Sequence, residues 1–325
     1  MDTQLFSKRG IGAVLGALLD KFAMERTSTF PNLERGQTLV VGADFGYDPK
    51  HKLDTYSFIL FDRENNNKWF LLQKKFREYG PLLRRRMAFK NLNDKNRRQA
   101  LIPFLQMAQT INGMLVTFAI SASGSKARSL FRDDDNPIDL ETETMISAWK
   151  PPVFERVMRI LHFSSFLLSG LSTSGQDLIW LIDDDEVASN THQLTLLTNL
   201  FNIVWSNYDS HDLNHVRCGT AKSDDGSFSL EDMLAIPDLA AGAVGAAGSL
   251  IRTRSMSPAN GLWLPLPKDL KWKTRTIISW LAFDACPLRH LTIHLNVPER
   301  GIAVNRVRWQ AFANADSILI PRRML

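Results

Sequence analysis

Short runs of apolar residues separated by polar turns divide this chain into strands and helices. Thr38–Gly46 (TLVVGADFG) and Thr55–Asp62 (TYSFILFD) are rich in β-branched and aromatic residues and read as strands. Lys68–Phe76 (KWFLLQKKF) follows the turn-like run Glu64-Asn65-Asn66-Asn67 and reads as a third, so three closely linked strands predict an antiparallel meander. Pro81–Ile111 is expected to be mostly helical despite Pro103. Met114–Ser121 then forms a fourth strand, and residues 123–140 a loop. Val153–Leu168 reads as a helix opened by Pro151-Pro152. Asp177–Ile182 (DLIWLI) is nearly all apolar, as a strand covered on both faces should be. A helix over Thr191–Trp205, a short strand over Val216–Ala221 and an alanine- and glycine-rich helix within Ser229–Ile251 follow.

This order predicts an α/β fold with a mixed sheet flanked by helices. Strand one should lie inside the sheet, parallel to strands four and five, with strands two and three antiparallel beside it. Two ends lie outside that pattern. Residues 1–35 form an N-terminal helical appendage, with apolar positions at Leu5, Ile11, Leu15, Leu18, Leu19 and Phe22 spaced for a helix over residues 4–24. Residues 286–325 form a β-rich extension, in which Arg289–Asn296 and Ile302–Ala311 alternate like a late hairpin. Residues 36–285 are the main domain.

Composition narrows the class. The 325 residues are 44% hydrophobic and 10% aromatic, as in a folded globular protein. The two cysteines, Cys218 and Cys286, make neither a disulfide framework nor a zinc motif, so a reducing, cytoplasmic setting is expected. Neither Ile11–Leu19 nor Leu234–Ile251 reads as a membrane segment: the first stops at Asp20-Lys21, and Pro237 and Asp238 interrupt the second.

The net charge of +5 is unevenly placed. Residues 74–98 and 250–325 each carry a net +8, whereas residues 99–249 carry −11. Basic flanks around an acidic middle suit a protein that grips a polyanion at its edges and holds cations at its centre. The same distribution also fits solvated charged faces.

Three aspartates are candidates for that centre. Asp44 lies within the first apolar strand, between Gly42 and Gly46, where a charge needs a partner or a cation. Asp183 ends the Asp177–Ile182 strand, and ligands collect beyond the carboxyl ends of parallel strands. Asp238 follows Pro237, which is expected to open the small-residue helix; Ala241, Gly242, Gly245 and Ser249 would let that helix lie close to the sheet. Each also has a plainer reading: a hydrated strand end, an acidic turn that caps the next helix, or a carboxylate at a helix N-terminus.

An aspartate on strand one, one at the end of a middle strand and one on a late helix resembles a large, poorly characterised family of RNase H-like proteins defined by short motifs. The segments that carry the likeness are Val41-Gly42-Ala43-Asp44-Phe45-Gly46, Leu181-Ile182-Asp183-Asp184 and Leu234-Ala235-Ile236-Pro237-Asp238-Leu239-Ala240-Ala241-Gly242-Ala243-Val244, within residues 36–252. The resemblance implies an RNase H-like domain with Asp44, Asp183 and Asp238 as ligands of Mg2+ or Mn2+, and Lys90 as a further catalytic residue. Two departures stand out. The family has glutamate and serine after its first aspartate, where this chain has Phe45-Gly46. Its acidic–apolar–lysine motif corresponds to Ala88-Phe89-Lys90, so the acid is missing; Asp48, Asp94 and Asp185 are the acids available to substitute.

The expected function is metal-dependent cleavage of nucleic-acid phosphodiesters, with RNA or DNA as partner and without a membrane. The alternative is a catalytically degenerate RNase H-like binding or adaptor protein, with a protein partner, in a nucleic-acid-processing or defence complex. Arg84, Arg85, Arg86, Arg97 and Arg98 are the candidate phosphate contacts. In the tail, Lys271 and Lys273 join them, where Trp263, Trp272, Lys268 and Arg275 interleave aromatic and basic residues. A packed tryptophan beside a solvated basic face accounts for the same tail pattern.

Overall fold

The computed structural model describes residues 15–20, 30–48, 50–82, 84–122, 147–183, 185–208, 211–253, 263–264, 269–283, 285–297 and 303–309. The strands are β1 (Thr38–Asp48), β2 (Leu53–Asp62), β3 (Gly113–Ala122), β4 (Asp177–Ile182), β5 (Val216–Thr220), β6 (Trp263–Leu264), β7 (Leu288–Val297) and β8 (Ala303–Trp309). The helices are α1 (Asn67–Tyr79), α2 (Lys95–Ala108), α3 (Pro151–Leu171), α4 (Thr191–Trp205), α5 (Ser229–Thr253) and α6 (Trp272–Leu281). The strands form one mixed sheet in the order β5-β4-β1-β2-β3-β7-β8, with the two-residue β6 on the outer edge of β8. This is an α/β protein whose helix-flanked mixed sheet is compatible with an RNase H-like fold. The predicted helix over residues 4–24 is described only at 15–20, which are helical; its remainder and the 123–140 loop lie outside the described residues.

Strand alternation separates the two faces of the sheet. Leu39, Val41 and Ala43 of β1, with Leu178, Trp180 and Ile182 of β4, pack into a cluster with α3 and α4. Val40 and Leu181 face the other way, into a cluster with α1, α2, α5 and α6. β1 is interior, antiparallel to β2 and parallel to β4, as the apolar pattern predicts. The late hairpin is continuous with the sheet: β7 runs parallel to β3 and antiparallel to β8.

Three expectations need correction. Lys68–Phe76 belongs to helix α1, so the third strand of the meander is Gly113–Ala122, beyond an inserted helical pair. Trp69 and Gln73 are its buried residues, at a spacing of four that places both on one helical face. The asparagine run is the entry to this helix: Asn66 donates its amide to the carbonyls of Asp62 and Asn112 and accepts the Asn112 N–H. Second, the described residues of 80–94 form a loop with one 3-10 turn, and only Lys95–Ala108 of the predicted Pro81–Ile111 helix is α-helical; Asp94 caps it by accepting the Arg97 N–H. Third, α5 begins at Ser229, so Pro237 and Asp238 sit inside it. Pro237 cannot bond back to the carbonyl of Met233. That carbonyl lies against Gly42, where an added Cβ would stand 3.9 Å from it.

Helix α5 is long and apolar enough to cross a membrane by length and composition, and 67% of that apolar stretch is buried within the protein. Its first turns are fixed by charge. Asp232 is fully buried and accepts hydrogen bonds from Gln73 (2.8 Å) and from Arg77 Nε (2.7 Å), both on α1. Removing one partner of such a pair leaves an uncompensated buried charge. Arg77→Ala should therefore cost about 3–5 kcal/mol of stability, read as a lower urea midpoint. The joint replacement Arg77→Met with Asp232→Leu should recover most of that loss, and an unchanged midpoint for Arg77→Ala would refute the assignment.

Candidate functional site

The register of β1 on β4 pairs Ala43 with Ile182. Carried one residue further, it sets Asp44, inside β1, beside Asp183, which follows the carboxyl end of β4 where the parallel pairing stops. Both follow residues that point into the α3–α4 face, so both turn to the face covered by α5. That helix supplies Asp238 from above. Its approach depends on small residues: a Cβ on Gly248 would stand 2.7 Å from Leu53 of β2, and one on Gly42 of β1 3.6 Å from Leu234 of the helix, while one on Gly242 would stand 2.3 Å from Phe89 Cγ in the loop below.

The three carboxylates act on one another. Desolvation raises the Asp44 pKa well above the usual carboxylate range, and the charges of Asp238 and Asp183 raise it further. Asp238 is raised as well, first by desolvation; the Phe89 N–H, donated to its carboxylate at 2.6 Å, and the charges of Arg86 and Lys90 pull the other way. Asp185 is pushed up to about 6, chiefly by desolvation, and its charge also reaches Asp44. Of the three acids available to replace the missing one at Ala88, Asp185 is therefore the one next to the cluster. Asp48 instead binds Ser249 and His51, and Asp94 pairs with Arg85. Ala88 itself is buried.

Arg86 differs from its neighbours. Arg84 and Arg85 are exposed, but Arg86 turns inward and donates to Asp183 at 2.8 Å. Desolvation opposes its charge, yet Asp183, Asp238 and Asp44 together raise its pKa. Its carbonyl accepts a hydrogen bond from Arg97 Nε at 2.7 Å, which fixes the loop. Arg86 is thus set apart from Arg84 and Arg85, which face solvent. The sequence offers no signal to say which of three consecutive arginines faces inward.

The remaining basic candidates form a rim. Lys90 is exposed and close enough to Asp238 for its charge to be felt. Lys273 donates to the Phe89 carbonyl at 2.8 Å, on the same residue whose N–H holds Asp238. Arg98 lies over the Trp272 ring, 4.8 Å from its centroid, and Lys271 is exposed. Helix α6, which presents these tail residues, has no counterpart in the sequence reading. Lys268 and the side chain of Trp263 lie outside the described residues.

An all-oxygen donor set suits a hard divalent cation. In the arrangement described, Arg86 lies where it neutralises that set. Among the described residues no three His, Cys, Asp or Glu side chains close to ligating geometry. The residue types fit Mg2+ or Mn2+, and Arg86 occupies one oxygen of Asp183. Comparison with protein-family models, curated proteins and solved structures finds no match for the chain.

Two outcomes test this electrostatic picture. A carboxylate whose folded pKa is raised favours folding below that pKa, and the contribution is lost as pH rises through it. Without divalent cations, Asp44→Asn should therefore melt roughly 1–3 °C above the wild type at neutral pH. The gap should close as the pH falls and Asp44 becomes protonated; a variant that melts below the wild type at neutral pH would contradict it. Gly242→Ala must displace Phe89 and with it the N–H on Asp238. Overpacking of this kind costs about 1–3 kcal/mol, measured as a lower urea midpoint, and an unshifted midpoint would show that the contact is loose.

Proposed function

We propose that the protein is a metal-dependent nuclease of the RNase H-like kind, acting on the phosphodiesters of RNA or DNA. The observation that carries this reading is the convergence of Asp44, Asp183 and Asp238 on one face of the sheet, beside a basic rim. When bound, Mg2+ or Mn2+ would activate water and stabilise the leaving oxygen. Asp44, Asp183 and Asp238 would hold the ion, with Asp185 within reach. Arg86, released from Asp183 as the cation takes its place, would turn to a phosphate oxygen, where a guanidinium makes paired hydrogen bonds. Lys90 and Lys273 would neutralise the flanking backbone.

A second reading is favoured by Arg86 and Ala88. A guanidinium already seated on Asp183, with alanine where the family has an acid, suits a binding or adaptor protein that has lost the metal. The assay is manganese- or magnesium-dependent degradation of labelled single- and double-stranded RNA and DNA. Asp44→Asn and Asp183→Asn should each lower cleavage by more than the roughly 10–100-fold that loss of an outer-shell partner costs, with the fold retained. Wild-type cleavage by Asp44→Asn would eliminate the mechanism. No cleavage by the wild type, together with no metal-induced rise in melting temperature, would select the adaptor reading.

A further inference from the structure

We propose that Trp272, with Arg98 behind it, is a base-stacking platform that selects single-stranded nucleic acid for this site. The inference rests on the phosphodiesterase reading and adds the form of the substrate.

Tryptophan exposure carries the argument. Trp69, Trp149, Trp180, Trp205, Trp280 and Trp309 are each at most 8% exposed, whereas Trp272 is 39% exposed. The rest of α6 is anchored inside: Thr274, Ile277, Ile278, Trp280 and Leu281 are buried. The helix is therefore rigidly seated, and its first residue projects an indole that the core does not need. An indole held at the surface in this way offers a flat apolar face on which a base can stack.

Its surroundings fit a nucleotide strand. Arg98, on α2, stacks its guanidinium on one ring face and thereby holds the indole in place. Lys271 and Lys273 flank it in the chain, and Lys271 and Arg98 are exposed. Lys273 ties the platform to the acidic cluster through Phe89, its Nζ on the Phe89 carbonyl and the Phe89 N–H on Asp238. A strand stacked on Trp272 would thus enter beside the residues that hold Asp238. Stacking on an exposed indole needs a base freed from its neighbours, which a single strand offers and an intact duplex does not.

The test is fluorescence anisotropy of the full chain in chelator, which prevents cleavage. The probes are labelled single strands of DNA and RNA and duplexes of the same sequence. Trp272→Ala should weaken single-strand binding about 10–100-fold and leave duplex binding and the salt slope unchanged. Trp272→Phe, which keeps a ring, should restore most of the affinity. Lys271→Ala should instead reduce the salt slope by about one. Melting curves of each variant identify any misfolded protein, and Trp272→Phe keeps the test decisive if Trp272→Ala fails to fold. The platform is overturned if a folded Trp272→Ala binds single strands as the wild type does. It is also overturned if both probe forms weaken equally, or if the wild type prefers duplex or binds neither. Failure of the metal-site reading would appear separately, as a wild-type melting temperature that manganese does not move.

Discussion

The close approach of helix α5 to the sheet is the constraint on which this structure depends. Small residues set that approach: Gly248 faces Leu53 of β2, Gly245 faces Thr55, and Gly42 of β1 leaves room for Leu234. Everything chemical is referred to this contact. Asp238 reaches the strand ends because the helix axis lies so near them, and Phe89 packs on Gly242 and thereby brings its N–H to Asp238. The buried Asp232 gives the same helix a fixed attachment to Gln73 and Arg77 of α1. A larger residue at the contact would move the acid, the loop and its basic neighbours together.

The second constraint is electrostatic. Asp44 and Asp238 are drawn out of water beside the charge of Asp183, which folding alone would not favour. The chain meets this with a backbone N–H on Asp238 and with the guanidinium of Arg86 on Asp183. Any cation at the cluster would therefore compete with a tethered one. The arginine loop is itself held, through the Arg86 carbonyl, by Arg97 at the start of α2. Release of Arg86 would therefore be felt at the adjoining Arg98 and the surface it supports.

Much of this was legible in the sequence. An unbroken apolar run bounded by Asp177 and Asp183 marks β4, and strand alternation in β1 places Asp44 on the face opposite Val41 and Ala43. What escaped did so for physical reasons. The buried residue that would reveal the period of α1 is Gln73, a polar side chain tolerated in the core because Asp232 and the Ser227 carbonyl accept its amide hydrogens. Helix α6 was hidden because its opening Trp272-Lys273-Thr274-Arg275 reads as surface, although Thr274 is buried. Pro237 reads as a helix start because its missing N–H is cheapest there, whereas here the freed carbonyl faces Gly42. The inward turn of Arg86 depends on contacts distant in sequence.

The pairing of β7 with β3 has a consequence in time. It joins Gly113 to Leu288 and continues for ten residues, across more than half the chain. During synthesis β3 therefore emerges long before its neighbour, with Met114, Leu115, Val116 and Phe118 along a strand that has one unpaired edge. Non-local pairings of this kind form slowly, and an exposed apolar edge invites pairing with other chains. The acidic site lies on the other side of β2, among elements complete by Thr253. The half of the sheet that carries the chemistry can thus assemble first, while the half that closes the fold waits on the ribosome.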